Sequence, residues 1–302
     1  MTNLSLLIAC FLLIFVLNVA DHVEARPAPV DFGDSDNGFY SLFVFGDSFA
    51  DTGNLPKSHL SESSREWYYP YGSNWGSQPT GRFSNAMVDR FRDLVQDGTV
   101  TRHNLHNSVA LVAISGNDYD RLSNVSSTDK MVEFIEKVTS EIAKQVHRLK
   151  NNGVSKVLVN NLHPVGCTPW LTRPSNYSGC SLRGNMGSYI HGGNLQKKLN
   201  ATDLPFVFHV DLNTAFSNIV NPDPKSKHDF SKQFKQRLSP CCESTDPNGF
   251  CGQKGEDGKD LFTLCKNPDE FFYWDDVHPT EAGWKAVMQQ LKGPIKNFLG
   301  VN

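Results

Sequence analysis

Four residues in three parts of the chain have side chains suited to nucleophilic catalysis. Ser48 and Asn117 each follow a short apolar run, and Asp275 and His278 stand three residues apart near the C-terminus. A serine hydroxyl becomes a strong nucleophile when an imidazole oriented by a carboxylate takes its proton. An asparagine amide can stabilise the oxyanion that the attack creates. Together the four residues indicate a Ser-Asp-His site with Asn117 as an oxyanion donor.

The C-terminal pair stands in the segment YWDDVHPT, directly before the last amphipathic stretch. A carboxylate and an imidazole three residues apart share one face of a helical turn. We therefore expect Asp275 to hold the Nδ1–H of His278 and to leave Nε2 free for the hydroxyl of Ser48. Asp276 is only two residues from His278 and is expected to point elsewhere.

Each motif also has an ordinary structural explanation. The Gly-Asp-Ser sequence at Ser48 is common in turns, and Asn117 is a suitable cap for the turn that follows it. The G-x-S-x-A spacing around Ser48 is loosely similar to the nucleophile elbow of α/β-hydrolases, but that elbow comes after several strands. A phosphate-binding loop is not supported, because the sequence contains neither a G-x-x-x-x-G-K-S/T motif nor a G-x-G-x-x-G motif. His163 and His209 adjoin apolar runs and are interpreted as structural, as is the aromatic segment 67–75, for which an acyl-binding wall is the alternative.

The elements that must position these residues follow from the apolar pattern. Continuous apolar runs, rather than alternating ones, are typical of parallel strands that are buried on both faces. Four such runs predict strands at 41–45, 108–115, 156–160 and 206–211. Apolar residues at helical spacing predict one helix over 131–149, started by Ser127 and stopped by Gly153, and a last helix from about Thr280 to Leu299. The strand–helix–strand order predicts one three-layer α/β/α domain, in which Ser48 and Asn117 leave the same edge of the sheet.

The N-terminus predicts export. The run from Leu4 to Val19 is nearly all apolar and short for a membrane span, which is typical of a signal peptide, although no Lys or Arg precedes it. A retained membrane anchor is the alternative. We expect cleavage after Ala20 or Ala25, so that residues 1–25 are the signal and 26–302 the mature secreted domain. No other apolar run reaches the length of a membrane helix.

The cysteines and glycosylation motifs agree with export. Of seven cysteines, Cys10 lies in the signal and six remain, which allow fifteen disulfide pairings that the sequence does not decide between. A zinc site is the alternative, but no C-x-x-C pair occurs, so disulfides are favoured. Sequons for N-glycosylation stand at Asn124, Asn176 and Asn200.

Composition bounds the class of protein and its partners. The chain has 302 residues, of which 39% are hydrophobic and 20% charged, so it is neither disordered nor a coiled coil. A net charge of −3, with no block of five like charges, argues against a nucleic-acid partner. The oligomeric state stays open.

Taken together, these motifs resemble a known family. The segment FGDSFADTGN at 45–54 closely resembles the first block of the plant GDSL esterase/lipase family, in the SGNH hydrolase superfamily. The similar later landmarks, in the family's order, are PTGRFS at 79–84, SGND at 115–118, LHPVGCTP at 162–169 and WDDVHPT at 274–280.

The resemblance implies a fold and a chemistry. It implies a flavodoxin-like parallel sheet of five strands in an α/β/α sandwich, and metal-free hydrolysis of carboxylic esters in lipid catabolism. By the same resemblance the expected partner is a small-molecule ester or lipid, and no cofactor or metal is expected. By that resemblance Ser48 is the nucleophile, His278 the general base and acid, and Asp275 the residue that orients it. The backbone N–H of Ser48 and the side chain of Asn117 are the implied oxyanion donors.

One block of the family is missing from this sequence. The family takes a third oxyanion donor from a glycine in a segment of the Asn-Phe-Ala-x-Gly-Gly type, whereas Gly98 is the only glycine between Arg82 and Asn107, and its surroundings read as a helix-ending turn. We therefore expect the loss of that block and of one edge strand, leaving a recognisable triad on an impaired scaffold. The alternatives are that a loop around Gly72 or Gly76 supplies the donor, or that the chain is an inactive glycoprotein that only binds a ligand.

Overall fold

The centre of the molecule is a parallel sheet with strands in the order β1-β2-β3-β4. The structure is a computed structural model that describes residues 41–50, 70–71, 87–114, 116–119, 127–200, 205–225 and 229–301. The strands are β1 (Ser41–Gly46), β2 (Ser108–Ala113), β3 (Lys156–Asn160) and β4 (Val207–Val210). Each of the four predicted apolar runs therefore forms a strand, and the strands are parallel as predicted.

Helices follow the strands as the pattern indicated. They are α1 (Met87–Gln96), α2 (Arg102–His106), α3 (Thr128–Asn151), α4 (Pro169–Thr172), α5 (Leu182–Asn200), α6 (Leu212–Val220) and α7 (Glu281–Leu299). The side chain of Ser127 accepts a hydrogen bond from a backbone N–H of the first turn of α3, and Gly153 after its end has φ +100°. Thr280 caps α7 in the same way, so the predicted start of the last helix is confirmed.

Two helical layers cover the two faces of the sheet. Ala110 and Val112 of β2 pack with residues of α1, α2, α3 and α5. Val109 of the same strand packs on the opposite side with residues of α6 and α7. Successive residues of a strand point to opposite faces, so a strand covered on both sides needs an unbroken apolar run. The α/β/α architecture and the continuous strand patterns have the same cause.

Strand β1 is the outer strand on its side of the sheet within the described ranges. A flavodoxin-like sheet has the order 2-1-3-4-5. Removing its second strand leaves the sequential order that is observed here. Phe91 of α1 packs edge-on against Phe43 and Phe45 of β1, with ring centroids 4.8 Å and 5.4 Å apart, and so covers one face of the strand.

The interval between β1 and β2 contains a helix that the sequence pattern did not predict. Helix α2 has five residues and is started by a reciprocal capping box between Thr101 and Asn104. Gly98, with φ +81°, lies in the turn after α1, so the predicted helix-ending turn is confirmed.

Three disulfides tie down the loops and the small sheets beside the main sheet. Strand β5 (Gln236–Pro240) pairs in parallel with β8 (Phe271–Tyr273), and β6 (Cys242–Ser244) pairs antiparallel with β7 (Phe262–Leu264). The disulfides are Cys167–Cys180, Cys241–Cys265 and Cys242–Cys251. All six cysteines are thus oxidised in pairs, which excludes the zinc alternative.

Some predictions fall on residues outside the described ranges. These are the signal peptide at 1–25, the landmark at 79–84, the loops at Gly72 and Gly76, the sequon at Asn124 and the side chain of Asn200. Asn176 is described and its side chain is exposed. Of the helices in the described part of the chain, none has both the length and the apolar character needed to cross a bilayer.

Candidate active site

Ser48 lies at the carboxyl end of β1, in a tight turn. Directly after Gly46, the N–H of Asp47 donates to the carbonyl of Ala113 on β2 at 3.2 Å. The N–H of Phe49 donates to Oδ1 of Asp47, also at 3.2 Å, which closes the turn around Ser48. A Cβ on Gly46 would lie 2.3 Å from the carbonyl oxygen of Ala113, so this approach of two backbones requires glycine.

The structure brings Ser48, His278 and Asp275 into one hydrogen-bonded row. Nε2 of His278 lies 2.8 Å from Oγ of Ser48, and Nδ1 lies 2.9 Å from both carboxylate oxygens of Asp275. An ionised carboxylate only accepts hydrogen bonds, so Nδ1 carries the ring proton and Nε2 presents a lone pair to the serine hydroxyl. In this geometry Nε2 of His278 can accept the proton of the Ser48 hydroxyl without any rearrangement of the three side chains.

The backbone around the Asp–His pair differs from the predicted helical turn. Asp275 and His278 lie in a bend between β8 and α7, and α7 begins only at Glu281. Oδ1 of Asp275 accepts the backbone N–H groups of Val277 at 2.9 Å and of His278 at 2.8 Å. The helical-turn prediction is therefore wrong, and its physical reason is Pro279, because a residue that precedes proline is disfavoured in the helical conformation. The carboxylate folds back onto its own loop instead.

Asp275 stays ionised although it is buried. Burial alone would raise its pKa, but the charge and hydrogen bond of His278, together with the two backbone N–H donors, lower the pKa of Asp275 to about 2. The hydroxyl of Tyr71 also donates to Oδ2 at 2.7 Å. Sequence reasoning missed this contact, because the two residues are 204 positions apart and share no local pattern.

Asp276 points away from His278, as predicted. Its Oδ1 lies 2.9 Å from Nη2 of Arg173, and its backbone carbonyl accepts the N–H of Trp170 at 2.9 Å. Burial raises the pKa of Asp276 to about 6, with the negative charge of Asp275 adding to the rise and Arg173 opposing it. This second carboxylate anchors the bend to the segment around α4.

Asn117 leaves the sheet at the same edge as Ser48. Gly46 and Ala113 are register partners at the ends of the two neighbouring parallel strands, so the turns that follow them start side by side. The side chain of Asn117 is exposed, and among the described residues it makes no hydrogen bond to the three residues of the row.

The turn that carries Asn117 is tethered to α5 by a tyrosine. The N–H of Tyr119 donates to the carbonyl of Gly116 at 2.8 Å, and its hydroxyl lies 2.6 Å from Nδ1 of His191. Burial, followed by the influence of His209, lowers the pKa of His191 to about 4, and burial raises the pKa of Tyr119. The tyrosine therefore donates and the neutral imidazole accepts.

Phe49 separates His278 from a second, buried histidine. Its ring centroid lies 5.9 Å from that of His278 and 5.0 Å from that of His163. His163 is buried, and neither of its ring nitrogens has a hydrogen-bond partner among the described residues. Burial, with a smaller effect of His278, lowers the pKa of His163 to about 3, so the ring is neutral at ordinary pH. His163 is a core residue as predicted, but it is not a satisfied one.

In the part of the chain that the structure describes, no group of three or more His, Cys, Asp or Glu side chains could hold a metal ion.

Comparison with known proteins identifies similar chains. The family profile described as GDSL-like lipase/acylhydrolase matches residues 42–291. GDSL esterase/lipase At5g03610 of Arabidopsis thaliana is 28% identical over 312 residues, covering 83% of this chain and 85% of that protein. GDSL esterase/lipase At2g36325 of the same plant is 28% identical over 365 residues, with 96% and 98% covered. A GDSL lipase of Tanacetum cinerariifolium is 24% identical over 307 residues, with 80% of each chain covered.

Proposed function

The chain belongs to the GDSL-like lipase/acylhydrolase family, and we propose that it cleaves carboxylic esters through an acyl-enzyme on Ser48. Its relatives support a hydrolase of the esterase or lipase kind. The observation that carries the finer proposal is the row in which Nε2 of His278 lies 2.8 Å from Oγ of Ser48 while Nδ1 faces the Asp275 carboxylate.

In the first half of the proposed reaction, Oγ of Ser48 attacks the ester carbonyl while Nε2 of His278 takes its proton. The imidazolium is balanced by Asp275, which the geometry keeps ionised. When the tetrahedral intermediate collapses, the bond to the alcohol oxygen breaks and Nε2 returns the proton to that oxygen. The alcohol leaves and the acyl group stays on Ser48.

In the second half, a water molecule replaces the alcohol. His278 takes a proton from the water, the water oxygen attacks the acyl carbonyl, and the collapse returns the proton to Oγ of Ser48 and releases the acid. In both halves the carbonyl oxygen gains negative charge. The backbone N–H of Ser48 and the side chain of Asn117 are the proposed donors to that oxygen.

We also propose that the mature protein works outside the cell on small esters or lipids. Disulfides persist in oxidising compartments, and three are present here. The exposed side chain of Asn176 is accessible for the proposed glycosylation. Export by the N-terminal signal and a role in lipid catabolism belong to the same proposal.

A second candidate function is that of a catalytically impaired member of the family that retains a ligand-binding fold. The alignment with At5g03610 runs over 312 residues although it uses only 83% of a 302-residue chain, so that relative has segments without a counterpart here. Together with the sequential order of the four described strands, which is what the loss of the second strand would leave, such segments support the loss of the glycine block and its oxyanion donor. In another hydrolase, losing one donor costs about 10²–10³ in kcat.

Labelling of Ser48 tests the two candidates against each other. A fluorophosphonate probe should label the purified protein covalently, and Ser48→Ala should abolish the labelling and lower the hydrolysis of short p-nitrophenyl esters by at least ~10⁴ in kcat. Ser181→Ala, which removes a serine hydroxyl outside the row, is the matched control. A correctly folded protein that is not labelled and does not hydrolyse esters would favour the impaired candidate. Activity that is unchanged in Ser48→Ala would show that Ser48 is not the nucleophile.

A further inference from the structure

We propose that Tyr71 is a positioning residue for the catalytic row, holding Asp275 through a hydrogen bond from its hydroxyl to Oδ2; the inference rests on the proposed ester hydrolysis. The described hydrogen bond of Tyr71 is to Asp275 and not to Ser48 or His278. It acts through the carboxylate that orients the imidazole.

The two oxygens of Asp275 are held by different parts of the chain. Oδ1 accepts the backbone N–H groups of Val277 and His278 from its own loop, at 2.9 and 2.8 Å. Besides Nδ1 of His278, the described partner of Oδ2 is the hydroxyl of Tyr71 at 2.7 Å. The local loop therefore fixes one oxygen, and a segment 204 residues distant in sequence fixes the other. Removing the tyrosine hydroxyl leaves Nδ1 of His278 as the described partner of Oδ2, so the carboxylate is held less firmly on that side.

Tyr71 is itself held in place by a small apolar cluster. Its ring packs edge-on against Trp274, with centroids 6.5 Å apart. Both rings lie against the cluster formed by Phe262 and the Cys242–Cys251 disulfide. The small β6–β7 sheet thus supports the tyrosine, and through it the Asp–His pair. The disulfide-bonded region thus helps to position the Asp275–His278 pair.

The hydrogen bond also sets how strongly Asp275 attracts the imidazole proton. A donor on Oδ2 spreads the carboxylate charge and makes Asp275 a weaker base. Without that donor the full charge faces Nδ1, so His278 holds an added proton more tightly. Since His278 must be neutral to accept the proton of Ser48, the acid limb of the kcat/KM profile should then move to higher pH.

The test is Tyr71→Phe, which keeps the ring packing on Trp274 and removes only the hydroxyl. With a p-nitrophenyl ester we expect kcat to fall about 3- to 10-fold, with KM little changed, and the acid limb of kcat/KM to rise by about 0.5–1 pH unit. Tyr177→Phe is the matched control, because the hydroxyl of Tyr177 binds a different carboxylate, that of Glu243. The control should leave the acid limb in place.

A second readout does not depend on turnover. The proton between Nδ1 of His278 and Asp275 is observable at low field by NMR, and its chemical shift should change in Tyr71→Phe and not in Tyr177→Phe. Ser48→Ala should lose activity and keep this NMR signal. If the wild-type protein is inactive, that result contradicts the proposed hydrolysis, and the NMR signal still tests the role of Tyr71. A wild-type rate, acid limb and NMR signal in Tyr71→Phe would overturn the proposal, and so would equal shifts in both tyrosine variants.

Discussion

The two halves of the candidate site are held in very different ways. On the activating half, Asp275 is buried and accepts hydrogen bonds from His278, from the Val277 N–H and from Tyr71. On the oxyanion half, Asn117 is exposed, in a turn tethered by the contact of Tyr119 with His191. The proposed activation of the nucleophile thus relies on a preorganised set of contacts, whereas the proposed stabilisation of the oxyanion relies on an exposed turn.

The largest effect within this comparison is expected from Asn117→Ala. If its amide donates to the oxyanion, kcat should fall by about 10²–10³ with little change in KM, because the interaction forms mainly in the transition state. Asp118→Ala, an exposed change in the same turn, controls for damage to the turn itself. Steady-state kinetics on a short p-nitrophenyl ester provide the measurement. A wild-type kcat in Asn117→Ala would mean that other groups carry the oxyanion half.

The features of the fold and site that the sequence could predict have local causes. The four strands, α3 and α7 follow from local apolar periodicity and capping residues, so they were predictable. The Asp–His pairing followed from a spacing of three residues, although the bend that produces it is not a helical turn. In each of these cases the cause lies within a few residues of its effect.

The features that sequence did not predict come from distant parts of the chain. Tyr71 reaches Asp275 across 204 residues, and no periodicity encodes such a contact. The adjacent Cys241 and Cys242 bind different partners, Cys265 and Cys251, and spacing alone cannot separate these pairings. Tertiary packing decides both, which is why the triad was predictable and its supporting contacts were not.

A smaller effect is expected from Tyr119→Phe, which cuts the tether of the oxyanion half. Losing the hydroxyl bond to His191 should loosen the turn and lower kcat by about 3- to 10-fold, with KM little changed. Tyr189→Phe is the matched control, since Tyr189 lies on the same helix as His191 and its side chain is 80% exposed.

The double variant makes the test of Tyr119 specific. If Tyr119 acts through Asn117, then adding Tyr119→Phe to Asn117→Ala should cost little beyond the single Asn117 change. Full additivity of the two effects on kcat would show that the tether serves something other than the asparagine. It would also weaken the contrast between the two halves.

The smallest effect on catalysis is expected from His163→Leu, which should also make the folded protein more stable. This histidine lies beneath Phe49 on the activating half, and in the described part of the chain neither ring nitrogen has a hydrogen-bond partner. Leucine removes two buried unsatisfied polar atoms, so the free energy of unfolding at pH 7 should rise by about 1–3 kcal/mol. Urea denaturation measures it, and kcat should stay within about twofold of wild type, since His163 is outside the proposed proton path. The control is His103→Leu at an exposed position, which should leave stability nearly unchanged.

The pH dependence of stability separates this explanation from simple repacking. The pKa of His163 in the folded protein is lowered to about 3, below the ordinary value of 6.5, so the unfolded chain takes up a proton first as the pH falls. Its contribution to stability is therefore complete above pH 6.5 and is lost toward pH 3, at roughly 1.4 kcal/mol for each pH unit. His163→Leu should remove that part of the slope between pH 6 and 4. An unchanged slope would mean that His163 is hydrogen-bonded or protonated in the folded protein, and the activating half would then contain a second titrating imidazole beneath Phe49.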